Sequence, residues 1–160
     1  MTPTGVDLKV VAERLDIVRA CLLDLRALPA SDLASFAADR RNPAAAESFL
    51  RRALEALFDT ARHLLAKGLG LGRLEYRDVA RLSVEHRFVS GADLGARFVK
   101  IAGFRNRLTH YYDEVTAAEL FAVLKTDLDD VEAIARELKR AASRLAARPG
   151  PANRENANPL

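Results

Sequence analysis

Residues 51–70 read RRALEALFDTARHLLAKGLG, and the spacing of the apolar residues in this stretch decides the fold class. Apolar side chains recur every three or four residues, as they do along the buried face of an amphipathic helix. The helix is expected to open with Asn42 as its N-cap and Pro43 at its first position, and to run to about Lys67. Three glycines between residues 68 and 72 predict its end and a mobile loop. The predicted buried stripe comprises Leu50, Leu54, Leu57, Ala61 and Leu64.

Three other long segments carry the same helical period. The first stops before Pro29, which cannot continue a helix. The second follows the turn-forming residues 90–93. The third is expected to run without a break from about Thr116 to Ala146, and Thr116 with Glu119 has the form of a capping box. The predicted stripes are Val11, Leu15, Val18, Leu22 and Leu25; Leu94, Ile101, Phe104, Leu108, Tyr111 and Val115; and Leu124, Leu128, Val131, Ala135, Leu138 and Leu145.

Two shorter helices are expected in the connections. One would begin after Ser31 as its N-cap and run through Arg40, and the other would run from Tyr76 to His86. No segment alternates with the period of a strand. The sequence therefore predicts an all-α fold, an antiparallel four-helix bundle with short additional helices. We expect one domain over residues 1–146 and a flexible tail, rich in proline and asparagine, over residues 147–160.

Composition narrows the class of protein. The chain has 160 residues, of which 49% are apolar, so it can form one folded domain and is not expected to be disordered. No window approaches 18 uncharged apolar residues, and the N-terminus lacks the apolar run of a signal peptide. The single cysteine, Cys21, is expected to be buried and fits a reducing compartment, so we expect a cytoplasmic protein. A net charge of +3 permits a nucleic-acid partner without establishing one.

Residues 104–115, FRNRLTHYYDEV, hold the residues that could carry chemistry. If the helix continues through them, one face is apolar and the other carries Arg105, Asn106, Thr109 and His110. Tyr112 lies seven residues after Arg105 and would stand at the rim of this polar group. By spacing alone, the group could equally be a solvated helix end, with His110 near the negative end of the helix dipole.

A ribonuclease could use this polar group. An imidazole can take a proton from a ribose 2′-hydroxyl or give one to a leaving oxygen. A guanidinium can bind a phosphate through two parallel hydrogen bonds and stabilise the charge of the transition state. Such a site needs neither metal nor cofactor. It would cut RNA but not DNA, because the nucleophile is the 2′-hydroxyl of the substrate itself.

The same segment resembles the Arg-x4-His-x-Tyr signature of the HepT-like toxins, a branch of the HEPN superfamily. Arg105, His110 and Tyr112 match the three named positions, and Asn106 matches the polar residue that usually follows the arginine. The similarity extends through residues 51–70, YRDVARLSVEHR at 76–87 and FVKIAGFRNRL at 98–108, and covers roughly residues 45–135. Thr109 departs from the family pattern, which often has an aliphatic residue there.

The resemblance implies a metal-independent RNA endonuclease toxin that acts as a two-fold dimer. His110 would be the general acid and base, Arg105 the phosphate clamp and Asn106 a supporting residue. The family also implies a partner, an MntA-like nucleotidyltransferase antitoxin that transfers AMP to the motif tyrosine, here Tyr112. Two alternatives remain open, a non-catalytic helical binding module that partners a nucleotidyltransferase and a purely structural helical dimer.

Other polar residues have simpler interpretations. Glu55, Asp59 and His63 share one stripe of a helix, where a solvated or dimer-facing surface is favoured over a metal site. His86 is expected at a helix C-terminus. Four arginines could contact RNA, although a solvated surface is favoured for them: Arg40, Arg41, Arg51 and Arg52.

Overall fold

Seven α-helices and one π-helical turn form the part of the chain that the computed structural model describes, residues 5–110 and 115–148. These residues contain no strand, so the predicted all-α class is confirmed. Beyond Ala147 and Arg148, the predicted flexible tail lies outside the described residues. The helices are α1 (Leu8–Ala27), α2 (Leu33–Ala38), α3 (Arg41–His63), α4 (Tyr76–Glu85), α5 (Ala92–Thr109), α6 (Ala117–Thr126) and α7 (Leu128–Ala146), with the π-helical turn at Leu64–Gly68.

The long helices pack antiparallel, as predicted. The start of α1 meets the end of α3, where the Gly5 N–H donates to the Lys67 carbonyl oxygen at 3.2 Å. The end of α1 meets the start of α7, where Arg26 donates to the Asp129 carboxylate at 2.8 Å. In the same way α5 runs antiparallel to α3, since the stacked rings of Phe58 and Phe98 lie near the end of the first helix and the start of the second. None of the helices described combines the length and the apolar character that crossing a membrane requires.

The core follows the predicted stripe of α3. Its five apolar residues are each at most 2% exposed. Burying side chains of this kind stabilises a fold by about 1.5–3 kcal/mol each. Phe58 stacks on Phe98 at a centroid distance of 4.9 Å and lies perpendicular to the Tyr76 ring at 5.5 Å, so the three rings connect the core to α4. Cys21 is buried as predicted, and that burial raises the pKa of its thiol.

Two predicted helix starts are wrong. The N-cap of α2 is Asp32 rather than Ser31, because its carboxylate accepts a backbone N–H from the first turn at 2.8 Å. Helix α3 already begins at Arg41, one residue before the predicted cap Asn42. The Asn42 side chain instead donates to the Phe36 carbonyl oxygen at 3.3 Å, which ties α3 to α2.

The last predicted helix is also corrected, because it is two helices rather than one. Helix α6 ends at Thr126 and α7 begins at Leu128, with Asp127 between them at φ −109° and ψ −12°. The Thr126 hydroxyl lies 2.9 Å from the Ala122 carbonyl oxygen and 2.8 Å from the Asp127 carboxylate. Local side-chain hydrogen bonds of this kind compete with the helical pattern and account for the break.

Glu119 joins the start of α6 to the last turn of α5. The predicted capping box with Thr116 is confirmed, since each side chain accepts the other residue's backbone N–H. Arg107 donates to the second oxygen of Glu119 at 2.6 Å. The hydrogen bond from Arg107, followed by those from Thr116, lowers the pKa of Glu119 to about 2.

The stabilising effect of Glu119 should therefore depend on pH. Because folding lowers its pKa, the ionised carboxylate stabilises the fold above about pH 4.3, and this effect is lost as the pH falls towards 2. We expect Glu119→Gln to lower the thermal midpoint at neutral pH, and the difference from wild type to shrink steadily on acidification. Glu13→Gln, on the exposed face of α1, is the control and should show no such trend. A difference that is constant over this range would show that the charge of Glu119 is not involved.

Candidate functional site

The last turn of α5 carries the candidate residues, and the helix stops earlier than predicted. It ends at Thr109, and His110 has an extended backbone at φ −97° and ψ 108°. The His110 N–H still donates to the Asn106 carbonyl oxygen at 3.2 Å. His110 is therefore not on the predicted face of the helix. It is the first residue after the helix, and it is exposed. Tyr112, as well as Tyr111, lies outside the described residues.

Arg51 of α3 caps the end of α5. Its Nε donates to the Leu108 carbonyl oxygen at 3.2 Å, which satisfies one of the carbonyl groups left free at a helix C-terminus. Its Nη2 donates to Glu47 at 2.6 Å, one turn earlier on α3. The prediction that Arg51 is only solvated is wrong, because a contact from another helix holds it at the site. The one sequence signal was its i,i+4 spacing from Glu47.

The other three arginines of that predicted group fit the solvated interpretation. Arg40, Arg41 and Arg52 are exposed. Arg41 forms an ion pair with Asp39 at 2.6 Å. None of them lies against the end of α5 within the described contacts, so Arg51 alone takes part in building the candidate site.

Arg105 does not project outwards as predicted. Its guanidinium lies over the Tyr76 ring, with Cζ 3.6 Å from the ring centroid, and the side chain is only 12% exposed. One terminal nitrogen is 3.5 Å from Glu55 and the other 3.5 Å from the Thr109 hydroxyl. A guanidinium is planar and weakly hydrated, so an aromatic face is a favourable surface for it. The Arg105 side chain therefore points towards α3 and α4 and not away from the bundle.

The predicted stripe of Glu55, Asp59 and His63 stays partly exposed to solvent, although two of its members also contact other segments of the chain. Glu55 contacts Arg105, and the Asp59 carboxylate lies 3.5 Å from Arg62. His63 Nε2 accepts the Asp7 backbone N–H at 3.1 Å. Burial lowers the pKa of His63, and nearby Arg14 lowers it further, which favours the neutral ring that accepts this bond. Within residues 5–110 and 115–148, no three metal-ligating side chains come together.

The site is thus a helix end with two different environments. Arg105 is largely covered by Tyr76, Glu55 and Thr109, whereas His110 is exposed and Asn106 is half-buried. No hydrogen bond joins Arg105 to His110. The exposed imidazole can exchange protons with a bound molecule. An anion that binds the guanidinium would compete with Glu55, whose contact with it is 3.5 Å long.

Comparison with known proteins agrees with this architecture. Superposition on solved structures gives a TM-score of 0.72 with the tri-AMPylated Shewanella oneidensis HEPN toxin in complex with MNT antitoxin, at 21% identity over 82% of this chain and 97% of that one. A toxin–antitoxin with AMP-PNP gives 0.70, at 19% identity over 81% and 97% of the two chains. A MntA–HpeT complex carrying a tyrosine-to-alanine substitution gives 0.68, at 20% identity over 82% and 98%.

These similarities show the fold. No curated protein matches the sequence. A family model described as ribonuclease HepT-like matches residues 18–138, which is most of the chain. The match includes all of α3, α4, α5 and α6 and therefore the whole described part of the candidate site. This chain belongs to the HepT-like ribonuclease family.

Proposed function

We propose that this chain is a metal-independent RNA endonuclease and the toxin of a toxin–antitoxin pair. The observation that carries the proposal is the end of α5, where an exposed histidine follows a helix turn that holds a weakly bonded arginine. The two residues have the spacing of the family motif, and the chain belongs to a family of ribonucleases. We also propose that the chain cleaves RNA in the cytoplasm.

His110 would perform the proton transfers. Its neutral imidazole takes the proton of a ribose 2′-hydroxyl, and that oxygen attacks the adjacent phosphorus. The bond from phosphorus to the 5′-oxygen breaks, and the leaving oxygen receives the proton that the His110 imidazole took from the 2′-hydroxyl. The products are a 2′,3′-cyclic phosphate on one fragment and a 5′-hydroxyl on the other. DNA lacks the nucleophile and should not be cut.

Arg105 would bind the phosphate whose bond breaks. Its contact with Glu55 is 3.5 Å long, so an incoming phosphate can compete for the guanidinium. Asn106 would support His110, because its backbone carbonyl oxygen accepts the His110 N–H where the helix ends. We also propose that two copies of the chain pair with their α5 helices near a two-fold axis, which would bring two such ends to one RNA strand.

The proposed antitoxin is an MntA-like nucleotidyltransferase that modifies Tyr112. The phenol oxygen of Tyr112 attacks the α-phosphorus of ATP, pyrophosphate leaves, and the phenol proton passes to a base. The new phosphodiester anion, two residues after His110, would neutralise Arg105 and fill the space that RNA needs. The proposal is supported by structural neighbours that include an AMPylated toxin with its antitoxin and a toxin–antitoxin with AMP-PNP.

One experiment tests both the proposed RNA cleavage and its proposed inhibition by the antitoxin. The purified chain is incubated in EDTA with a single-stranded RNA or with DNA of the same sequence, before and after treatment with the antitoxin and ATP. We expect cleavage of RNA alone, and loss of that cleavage together with a mass gain of AMP that Tyr112→Phe prevents. Absence of RNA cleavage by the untreated chain would instead support a non-catalytic binding module.

A further inference from the structure

Two arginines from different helices meet on one aromatic ring beside the candidate site. Tyr76 is the first residue of α4, and the Arg105 guanidinium of α5 lies 3.6 Å from its ring centroid. The Arg62 guanidinium of α3 lies 4.7 Å from the same centroid. Phe58 lies perpendicular to that ring on the side of the core, at a centroid distance of 5.5 Å. The bundle itself therefore fixes both cations with respect to each other.

Both guanidinium groups are short of hydrogen-bond partners. Among the described residues, only two buried side-chain nitrogen or oxygen atoms have no partner, and they are the Nε atoms of Arg62 and Arg105. The carboxylate contacts of these two arginines, with Asp59 and Glu55, are each 3.5 Å long. For comparison, Arg51 donates to Glu47 at 2.6 Å. Because the Nε atoms are buried, the donors that a phosphate could take are the terminal nitrogens, whose contacts with Asp59, Glu55 and Thr109 are each 3.5 Å long.

Arg62 can be reached from solvent. Its side chain is 36% exposed, and those of Asp59 and Glu55 are 46% and 45% exposed. The two carboxylates balance the two cations in the free protein through weak contacts. A phosphate, which accepts two parallel hydrogen bonds from the guanidinium fork, can displace a carboxylate held at this distance.

We propose that Arg62, stacked on Tyr76 beside Arg105, is a second phosphate-binding residue, and that the pair binds two phosphates of one RNA strand. This inference rests on the proposed ribonuclease function. Tyr76 is a positioning residue in this account, because its ring holds the two cations without contacting RNA. Arg62 would add affinity and fix the path of the strand, while the chemistry stays at His110.

RNA binding as a function of salt concentration tests the proposal. Fluorescence anisotropy of a labelled single-stranded RNA is measured in the His110→Ala background, so that cleavage does not interfere. On a single strand each phosphate contact contributes about 0.7 to the slope of log K against log salt concentration. We expect Arg62→Gln to weaken binding roughly tenfold and to lower the salt slope by about 0.7. Arg140→Gln, an exposed arginine paired with Glu137 on α7, is the matched control and should change neither quantity.

The variants of Tyr76 separate a positioning role from a structural one. Tyr76→Phe keeps the ring and should keep the affinity and the slope, whereas Tyr76→Leu should lose affinity as Arg62→Gln does. Thermal unfolding is followed for every variant. A lower midpoint for Arg62→Gln with an unchanged salt slope would overturn the inference, since a merely structural arginine gives that result.

Three further outcomes would also overturn the inference, and they differ in what they say about the proposed function. If the wild-type chain cleaves RNA while Arg62→Gln keeps the full slope, only the role of Arg62 fails. If the wild-type chain neither binds nor cleaves RNA, the proposed function fails with it. If Arg62→Gln keeps its RNA affinity but loses binding to the antitoxin, the two arginines serve a protein partner instead.

Discussion

Replacing His110 with alanine should abolish RNA cleavage and toxicity while the bundle stays folded. The side chain is exposed and makes no hydrogen bond to another described residue, so its removal costs little packing. Its backbone N–H still caps the end of α5 and is unaffected by the change. Loss of a general acid and base typically slows a reaction by about 10²–10⁴-fold. Initial rates on RNA, growth of cells expressing the variant and the thermal midpoint together check the expectation.

His86→Ala is the matched control for this experiment. His86 is also exposed and also follows the end of a helix, but it lies at the opposite end of α4 from Tyr76, the residue that Arg105 contacts. Its loss should leave the cleavage rate unchanged. Undiminished cleavage by His110→Ala, or an equal loss in the two variants, would remove His110 from the mechanism.

Replacing Arg105 should have an effect of similar size, and lysine should not rescue it. Removal of one donor that stabilises the transition-state charge costs about 10²–10³-fold in rate. Lysine keeps the charge but has no planar group to lie on Tyr76 and no fork to bind a phosphate through two bonds. We therefore expect Arg105→Lys to lose most of the kcat/KM that Arg105→Ala loses.

Arg81→Lys is the control for replacing an arginine with a lysine. Arg81 is an exposed arginine of α4 with two carboxylate partners, Asp78 and Glu85. It should show normal kcat/KM. Urea unfolding is measured in parallel, because Arg105 also covers Tyr76 and contacts Glu55. Full activity of Arg105→Lys in a folded protein would show that a point charge is sufficient at this position.

The sequence predicted the helices better than their ends. The period of apolar residues along α3 is a local property, and all five predicted core positions are buried. The end of α5 involves a contact between residues far apart in sequence, because Arg51 of α3 donates a hydrogen bond to the Leu108 carbonyl oxygen. The break at Asp127 is associated with hydrogen bonds of the Thr126 hydroxyl. The apolar pattern of α6 and α7 contains no information about such bonds.

The candidate site was predictable only in part for the same reason. The family motif identified Arg105, Asn106, His110 and Tyr112 without any knowledge of tertiary contacts. The direction of the Arg105 side chain depends on Tyr76, which is 29 residues earlier in the chain and on another helix. Nothing in the sequence pointed to Arg62, because arginines are common on helix surfaces. Only the structure shows that this one lies over the Tyr76 ring.

The end groups of the RNA fragments show which oxygen attacks the phosphorus. In this account His110 activates the 2′-hydroxyl of the substrate, so cleavage by the purified chain in EDTA should leave a 2′,3′-cyclic phosphate and a 5′-hydroxyl. Mass spectrometry of the fragments distinguishes these ends from others. Fragments with a 3′-hydroxyl and a 5′-phosphate would show that water is the nucleophile, and would contradict the mechanism proposed for this helix end.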